Sequence, residues 1–420
     1  MGGASAALAA ARAGWDAQVL AGHLLRRVDA VLDLTGLRER LRPRYSRIGR
    51  PSVDPAVLLR MLLVGYLYGI TSERRLAEEV RYNVAYRWFV GLGPVDRVPH
   101  HSTFSKARHG RFRGTGVFRA LFEDVVRRCV AAGLIAGDAC SVDGSFSEAD
   151  AGAARRLVDP GRAEAHVGAG GRLLSAVRSP ADPDATWASK GGPARFAYYT
   201  NYLLDNARGV IVDVEATPAL YSTESVAACT MVARTRATFG LTITALGADR
   251  AYGDGAFLAW CAGHGVTAYV PVLDRRGQKP GGFTQADFTY DPAREEYVCP
   301  AGARLWRVAS VAASQVHQYR APPDPCPKCA LRAHCTTAPR RQLSVSWHDV
   351  TRRAVGALAG TPEFTRAAWA RKKVEARVAE LKRFVGLRRL RLRRLPQAAE
   401  QFLLAATVQN LKRLAATAPP

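Results

Sequence analysis

Residues 16–130 carry helical periodicity almost without strand-like alternation, and from Asp138 onward the pattern changes to short β-prone runs. This switch limits the fold more than any other feature, because a 3.6-residue period and a 2-residue period cannot share one element. A helical N-terminal region followed by a mixed α/β region is expected. In the first, Asp54-Pro55 makes a cap and first turn for AVLLRMLLVGYLYG, with Gly69 as its stop. TSERRLAEEVRYNVAYRWFVGL is a further helical stretch ending at Gly91, and a polar link leads to STFSKARHGRF. Short Arg-studded helices joined by tight turns suit either a DNA-end-binding module or a plain helical bundle.

In the second region, ACSVDGS is a strand ending in a carboxylate and a glycine. Residues 150–195 are Ala/Gly/Pro-rich and aperiodic, which suits a loop or a poorly ordered insertion. AYYTNYLLDNARGVIVDVEATPA is two strands around an Asp205–Gly209 turn. A helix over 224–239, a strand TITALGAD, a helix over 254–264 and a strand VTAYVPV follow. The order β-β-β-α-β-α-β, with a later helix, is that of a ribonuclease H-like mixed sheet, an inference by analogy. The expected domains are 1–130, helical; 138–275, the first part of the α/β core; 276–345, an insertion with four Cys; and 346–420, C-terminal helices completing the core.

The formal charge of +24 points to a polyanionic partner, with nucleic acid foremost. Of 60 basic residues only eight are Lys, and the guanidinium fork binds phosphate oxygens in pairs. GC-rich codon bias accounts for much of the preference for Arg, but not for the excess of positive charge. No segment approaches the ~20 apolar residues of a membrane span, and Met61–Ile70 is a core helix. The expected location is the cytoplasm, where thiols stay reduced.

Metal-assisted phosphodiester chemistry needs carboxylates converging from distant parts of a chain. Asp143 ends the first strand and Asp249 follows ITALGA, so both sit where an open sheet presents its strand ends to ligands. Either alone is also an ordinary turn residue. At about 100° per residue, Arg371, Glu375 and Lys382 fall within about 40° of one another, whereas Glu380 lies about 140° from Glu375. The stripe suits a carboxylate flanked by phosphate-binding cations, or simply an exposed helix with an i, i+4 Arg–Glu pair.

These blocks resemble the DDE (Asp-Asp-Glu) transposases of bacterial insertion sequences over most of the chain. PSVDPAVLLRMLLVGYLYGITSERRLAEEVRYNVAYRWFVGL and HSTFSKAR are similar to their helical N-terminal domain. SVDGSFSEA resembles the block holding their first Asp, and GADRAYGD the block holding the second. Arg371, Glu375 and Lys382 match the spacing of their Tyr-Arg-Glu-Lys signature, but Ala368 stands where its Tyr would fall, beside Trp369. The resemblance implies that Asp143, Asp249 and Glu375 are catalytic and hold Mg²⁺ or Mn²⁺, with Arg371 and Lys382 on phosphate. It implies cleavage at transposon ends, strand transfer into double-stranded target DNA, and a homodimer or larger assembly on DNA. Two rival readings are an inactive transposase-derived DNA-binding protein and a nuclease of the same fold without strand transfer.

Cys299, Cys326, Cys329 and Cys335 form a workable tetrahedral zinc set or a group of reduced thiols in a compact loop, with His334 as a substitute ligand. Cys129, Cys140, Cys229 and Cys261 lie in apolar surroundings and are expected in cores. The run GLRRLRLRRL is expected to be helical, with Leu387, Leu390 and Leu395 packing. Its Arg388, Arg389, Arg391, Arg393 and Arg394 would face either DNA backbone or solvent.

Overall fold

The computed structural model describes residues 2–45, 48, 52–152, 156–158, 177–189, 192–219, 223–272 and 282–417. It divides into two compact units, one formed by residues 1–157, 177–243 and 369–420, the other by 158–176 and 244–368. Most of the Ala/Gly/Pro-rich stretch lies outside the described residues, as do 276–281 of the expected insertion.

Among the described residues of unit one, eight α-helices precede the first strand: α1 (Gly2–Ala13), α2 (Leu24–Val31), α3 (Thr35–Leu41), α4 (Pro55–Leu67), α5 (Glu73–Tyr82), α6 (Val84–Val90), α7 (His101–Lys106) and α8 (Val117–Ala131). The sequence signals hold here. Asp54 accepts the Ala56 N–H at 2.8 Å with Pro55 at the first helical position. Gly91 closes α6 with φ 83°, a left-handed conformation that disfavours a side chain. α4 is buried from Leu58 through Leu67, as its continuous apolar run demands.

Four strands of unit one follow and pair antiparallel: β1 (Ala139–Glu148), β2 (Thr186–Ala188), β3 (Arg195–Asp205) and β4 (Ile211–Pro218). β3 pairs with β1, placing Asp143 opposite Tyr202 and Gly144 opposite Asn201. It also pairs with β4 over Tyr198–Leu204 and with β2 at its start. The tight β3–β4 turn is closed by Gly209 N–H to Asp205 O at 3.1 Å. Helix α9 (Thr223–Phe239) lies against this sheet.

The axis of unit one is its last helix, here α13 (Leu395–Thr417), buried almost continuously from Phe402 to Leu411 and packed on α8, β4, α2 and α4. A helix with no solvated stripe has to lie inside a core. Its Asn410 makes the interior polar contact good: Oδ1 accepts the Ile211 N–H at 3.0 Å and Nδ2 donates to Ile211 O at 2.8 Å.

In unit two, β5 (Ala245–Gly247) and β6 (Thr267–Tyr269) pair in parallel, with α10 (Gly255–Gly263) connecting them and α11 (Asp349–Ala357) packed on α10. The expected Cys-bearing insertion contains a five-stranded antiparallel sheet: β7 (Thr289–Asp291), β8 (Glu296–Val298), β9 (Arg304–Val311), β10 (Val316–Arg320) and β11 (Gln342–Ser346), neighbours in chain order. Phe288, Tyr297, Leu305, Tyr319, Leu343 and Val345 give it its own apolar core. Helix α12 (Pro362–Arg383) carries the chain from unit two back into unit one.

Candidate active site

Asp143 does not end the first strand, which corrects the expectation: β1 runs on to Glu148 because its pairing with β3 continues past the Asp-Gly pair. Asp143 is half-buried there, its Oδ1 accepting the N–H of Gly144 at 2.9 Å. On its face of the strand stand Ser141 and Ser145, and the buried Ser145 hydroxyl has no hydrogen-bond partner among the described residues. Gly144 shows the opposite face to α9, where a β-carbon would overlap the Glu224 carboxylate. Gly144 therefore leaves the room that the Glu224 side chain fills, which the turn-residue reading of the sequence did not capture.

In unit two, Asp249 follows β5 and caps the short 3₁₀ turn Arg250–Tyr252, its Oδ1 accepting the Ala251 N–H at 2.7 Å. One oxygen is thus engaged in holding the loop while the other carries no bond in that cap.

Within unit one, α12 shows why Glu375 faces outward. Val374 and Leu381 are buried, and Lys373 donates to the carbonyls of Asn206 and Ala207 at 2.5 and 3.3 Å. The Glu375 side chain, half a turn from that anchor, is 52% exposed and pairs with Arg371 at 3.2 Å. Glu380 points elsewhere, as the helical angle requires, accepting from Gln409 at 3.0 Å. Lys382 is half-buried, and Trp369 is 66% exposed with the Lys372 ammonium 3.8 Å from its ring centre. Among the described residues, no three His, Cys, Asp or Glu side chains stand together in a metal-holding arrangement.

The basic run is not helical, which corrects the expectation. α12 stops at Arg383, and Gly386 adopts φ 82° with its Cα against Thr71, where a β-carbon would meet Cγ2 at 2.7 Å. The segment instead runs beside the end of β1: Glu148 N–H donates to Arg388 O at 2.9 Å, and Leu390 N–H to Glu148 O at 2.8 Å. Leu387 and Leu390 are buried as expected, but Leu395 is only half-buried. Arg391 stacks over Tyr66 at 4.6 Å and donates to the carbonyls of Ile70 and Val385. Arg389 and Arg393 pair with Asp150 at 3.3 and 3.2 Å, while Arg388 and Arg394 are exposed.

The four unit-two cysteines line one cavity of about 260 Å³, and Cys299 Sγ accepts the Ala303 N–H at 3.3 Å. Cys299, Cys326 and Cys335 also pack on the sheet's apolar core. No disulfide joins any of the eight cysteines. Cys129, Cys140 and Cys261 are buried, whereas Cys229 is only half-buried, because it lies on a partly solvated side of α9. Burial pushes the Cys140 thiol well above its ordinary range, so it is an inert core group.

Two family models match the chain. One, described as a transposase domain (DUF772), covers residues 14–110, and the other, a transposase DDE domain, covers residues 298–415. Together they span just over half of the 420 residues. The chain belongs to the DDE-type transposases of insertion sequences. In this transposase, Arg371, Glu375 and Lys382 fall inside the matched DDE segment, whereas Asp143 and Asp249 lie between the two matched segments. Curated proteins gave no match. No helix of the described residues is long and apolar enough to cross a membrane.

Proposed function

We propose that this transposase cuts DNA at the ends of its element and joins the freed ends to target DNA, with Asp143, Asp249 and Glu375 as its catalytic carboxylates. The observation that carries the reading is the position of Glu375. With Arg371 four residues before it and Lys382 seven after, it lies on an outward face of α12 inside the segment matched by the DDE domain. Carboxylate oxygens are the donors that Mg²⁺ or Mn²⁺ takes, and such ions, when bound, activate the attacking oxygen and stabilise the leaving one. Arg371 holds the Glu375 carboxylate in place and brings a guanidinium fork for a phosphate. Lys382, about 20° away on the helix, supplies a second cation on the same stripe. With the short strand β2 set aside, the order β1, β3, β4, α9, β5, α10, β6 is the basis for reading the core as ribonuclease H-like.

The reaction has two displacements. Water attacks the phosphodiester at the element's end, breaking the bond to the 3′ oxygen, which leaves as a hydroxyl. That hydroxyl then attacks a target phosphodiester, so one bond forms as another breaks. The test supplies a duplex carrying the repeats that flank the gene, a target plasmid and Mg²⁺, and sequences the products. Joined ends are expected; cleavage without joining would mean a nuclease, and binding without cleavage a non-catalytic DNA-binding protein.

We also propose that Cys299, Cys326, Cys329 and Cys335 are reduced thiols packed in a compact loop, because among the described residues no three of them stand together in a metal-holding arrangement. They line one cavity, and Cys299, Cys326 and Cys335 pack on the apolar core of the five-stranded sheet.

A further inference from the structure

A second cationic site lies in unit one, on the other side of α12 from Glu375. A cavity of about 590 Å³ is lined by Arg208 from the β3–β4 turn, Arg377 and Glu380 from α12, and Lys412 and Arg413 from α13. Arg377 and Glu380 are about 160° and 140° round the helix from Glu375, so this site and the proposed catalytic stripe face different directions.

Its charges are poorly balanced. Among the described residues Glu380 is the only acidic one lining it, and this carboxylate is shared by Arg377 at 3.2 Å, Lys412 at 3.7 Å and Gln409 at 3.0 Å. Arg413 spends Nε on Arg208 O and Nη1 on Gln409 O, and the Nε of Arg377 is buried with no hydrogen-bond partner among the described residues. Loss of solvent, and then the nearby Arg377, pull the Arg413 guanidinium down to about 10. The ends of α8 and α13 border the cavity, and helix C-termini attract cations. At about half a negative charge each, however, they and Glu380 still leave roughly two positive charges uncompensated. Gathering cations on rigid elements without a matching anion is costly, and the missing partner is an anion with several acceptor oxygens.

We propose that this cavity binds phosphodiester groups of duplex DNA outside the cleaved bond, giving the chain a second, sequence-independent hold on DNA. The volume is in the range of pockets that hold small-molecule-sized ligands, enough for more than one phosphate. The inference rests on the chain acting on DNA, but not on the catalytic assignment.

The test measures binding of a mixed-sequence duplex against salt concentration, without divalent metal, for the full chain and for Arg208→Ala/Lys412→Ala. Losing two phosphate contacts should flatten the log–log salt slope by about 1.8 and weaken binding about tenfold or more at moderate salt. Cleavage at saturating DNA should be unchanged. Arg208→Ala alone, at an exposed position, should give about half the change in slope and serves if the double variant fails to fold. Identical slopes for variant and parent would overturn the proposal. Saturable binding of inorganic phosphate, lost in the variant while duplex binding is unaltered, would also overturn it by assigning the cavity to a small anion. A parent chain that binds no duplex would remove the transposase reading itself, a result distinct from either.

Discussion

Gly144 and Glu224 occupy one another's space: the glycine beside Asp143 has no β-carbon because the first-turn carboxylate of α9 rests where that atom would be. Gly144→Ala should therefore destabilise unit one by about 1–3 kcal/mol, the usual cost of overpacking. Glu224→Ala should relieve most of that loss in the double variant. Denaturant titration of the four proteins of the cycle checks this, and additive losses would show that the two positions are not coupled.

Glu400 on α13 is a pH-dependent liability. Burial raises its carboxyl from an ordinary 4.5 to about 7, with Arg108 opposing, and its Oε2 has no hydrogen-bond partner among the described residues. The folded chain holds a proton that the unfolded chain releases, so this contribution is complete below about pH 4.5 and is lost as pH rises through 7. The loss is at most roughly 3 kcal/mol. Glu400→Gln should leave stability at pH 5 nearly unchanged and raise it at pH 8. Equal thermal shifts at both values would refute the assignment.

The arginines of the basic run should separate into two groups. Arg391→Ala removes the stack on Tyr66 and should cost about 1–2 kcal/mol of stability. Arg388→Ala, at an exposed position, should leave stability alone and lower the salt slope of DNA binding by about 0.9. Thermal melts and salt titrations on the two variants distinguish these effects, and exchanged outcomes would show that the roles are reversed.

Metal analysis of the chain purified in reductant should find no stoichiometric zinc, and a chelator should leave the melting temperature unchanged. About one zinc per chain, lost with a fall in stability when Cys326 and Cys329 become Ser, would overturn the reading of the four thiols as packing beside the Tyr297–Leu343 core.

Strong local signals were legible in the sequence: the Asp54-Pro55 cap, the Gly91 stop, and the strand–turn–strand around Asp205–Gly209. The five-stranded sheet was not foreseen, although RLWRVASV, VHQYR and QLSVS have strand character. Pro, Gly and Cys between those runs made the region look like coil. The basic run misled because a helical repeat says nothing about Gly386 meeting Thr71 in another part of the chain. For the site, Arg371, Glu375 and Lys382 were visible because they share one helix. The cation cluster of Arg208, Arg377, Lys412 and Arg413 was not, since it draws on three elements distant in sequence.

The most direct test of the catalytic proposal is cleavage of a duplex bearing the flanking repeats by Glu375→Gln, with duplex binding measured on the same preparation. Removing one carboxylate charge while keeping the side chain's shape should bring cleavage in Mg²⁺ to background and leave the melting temperature and the duplex affinity unchanged. Cleavage at the parent rate would contradict the role given to Glu375.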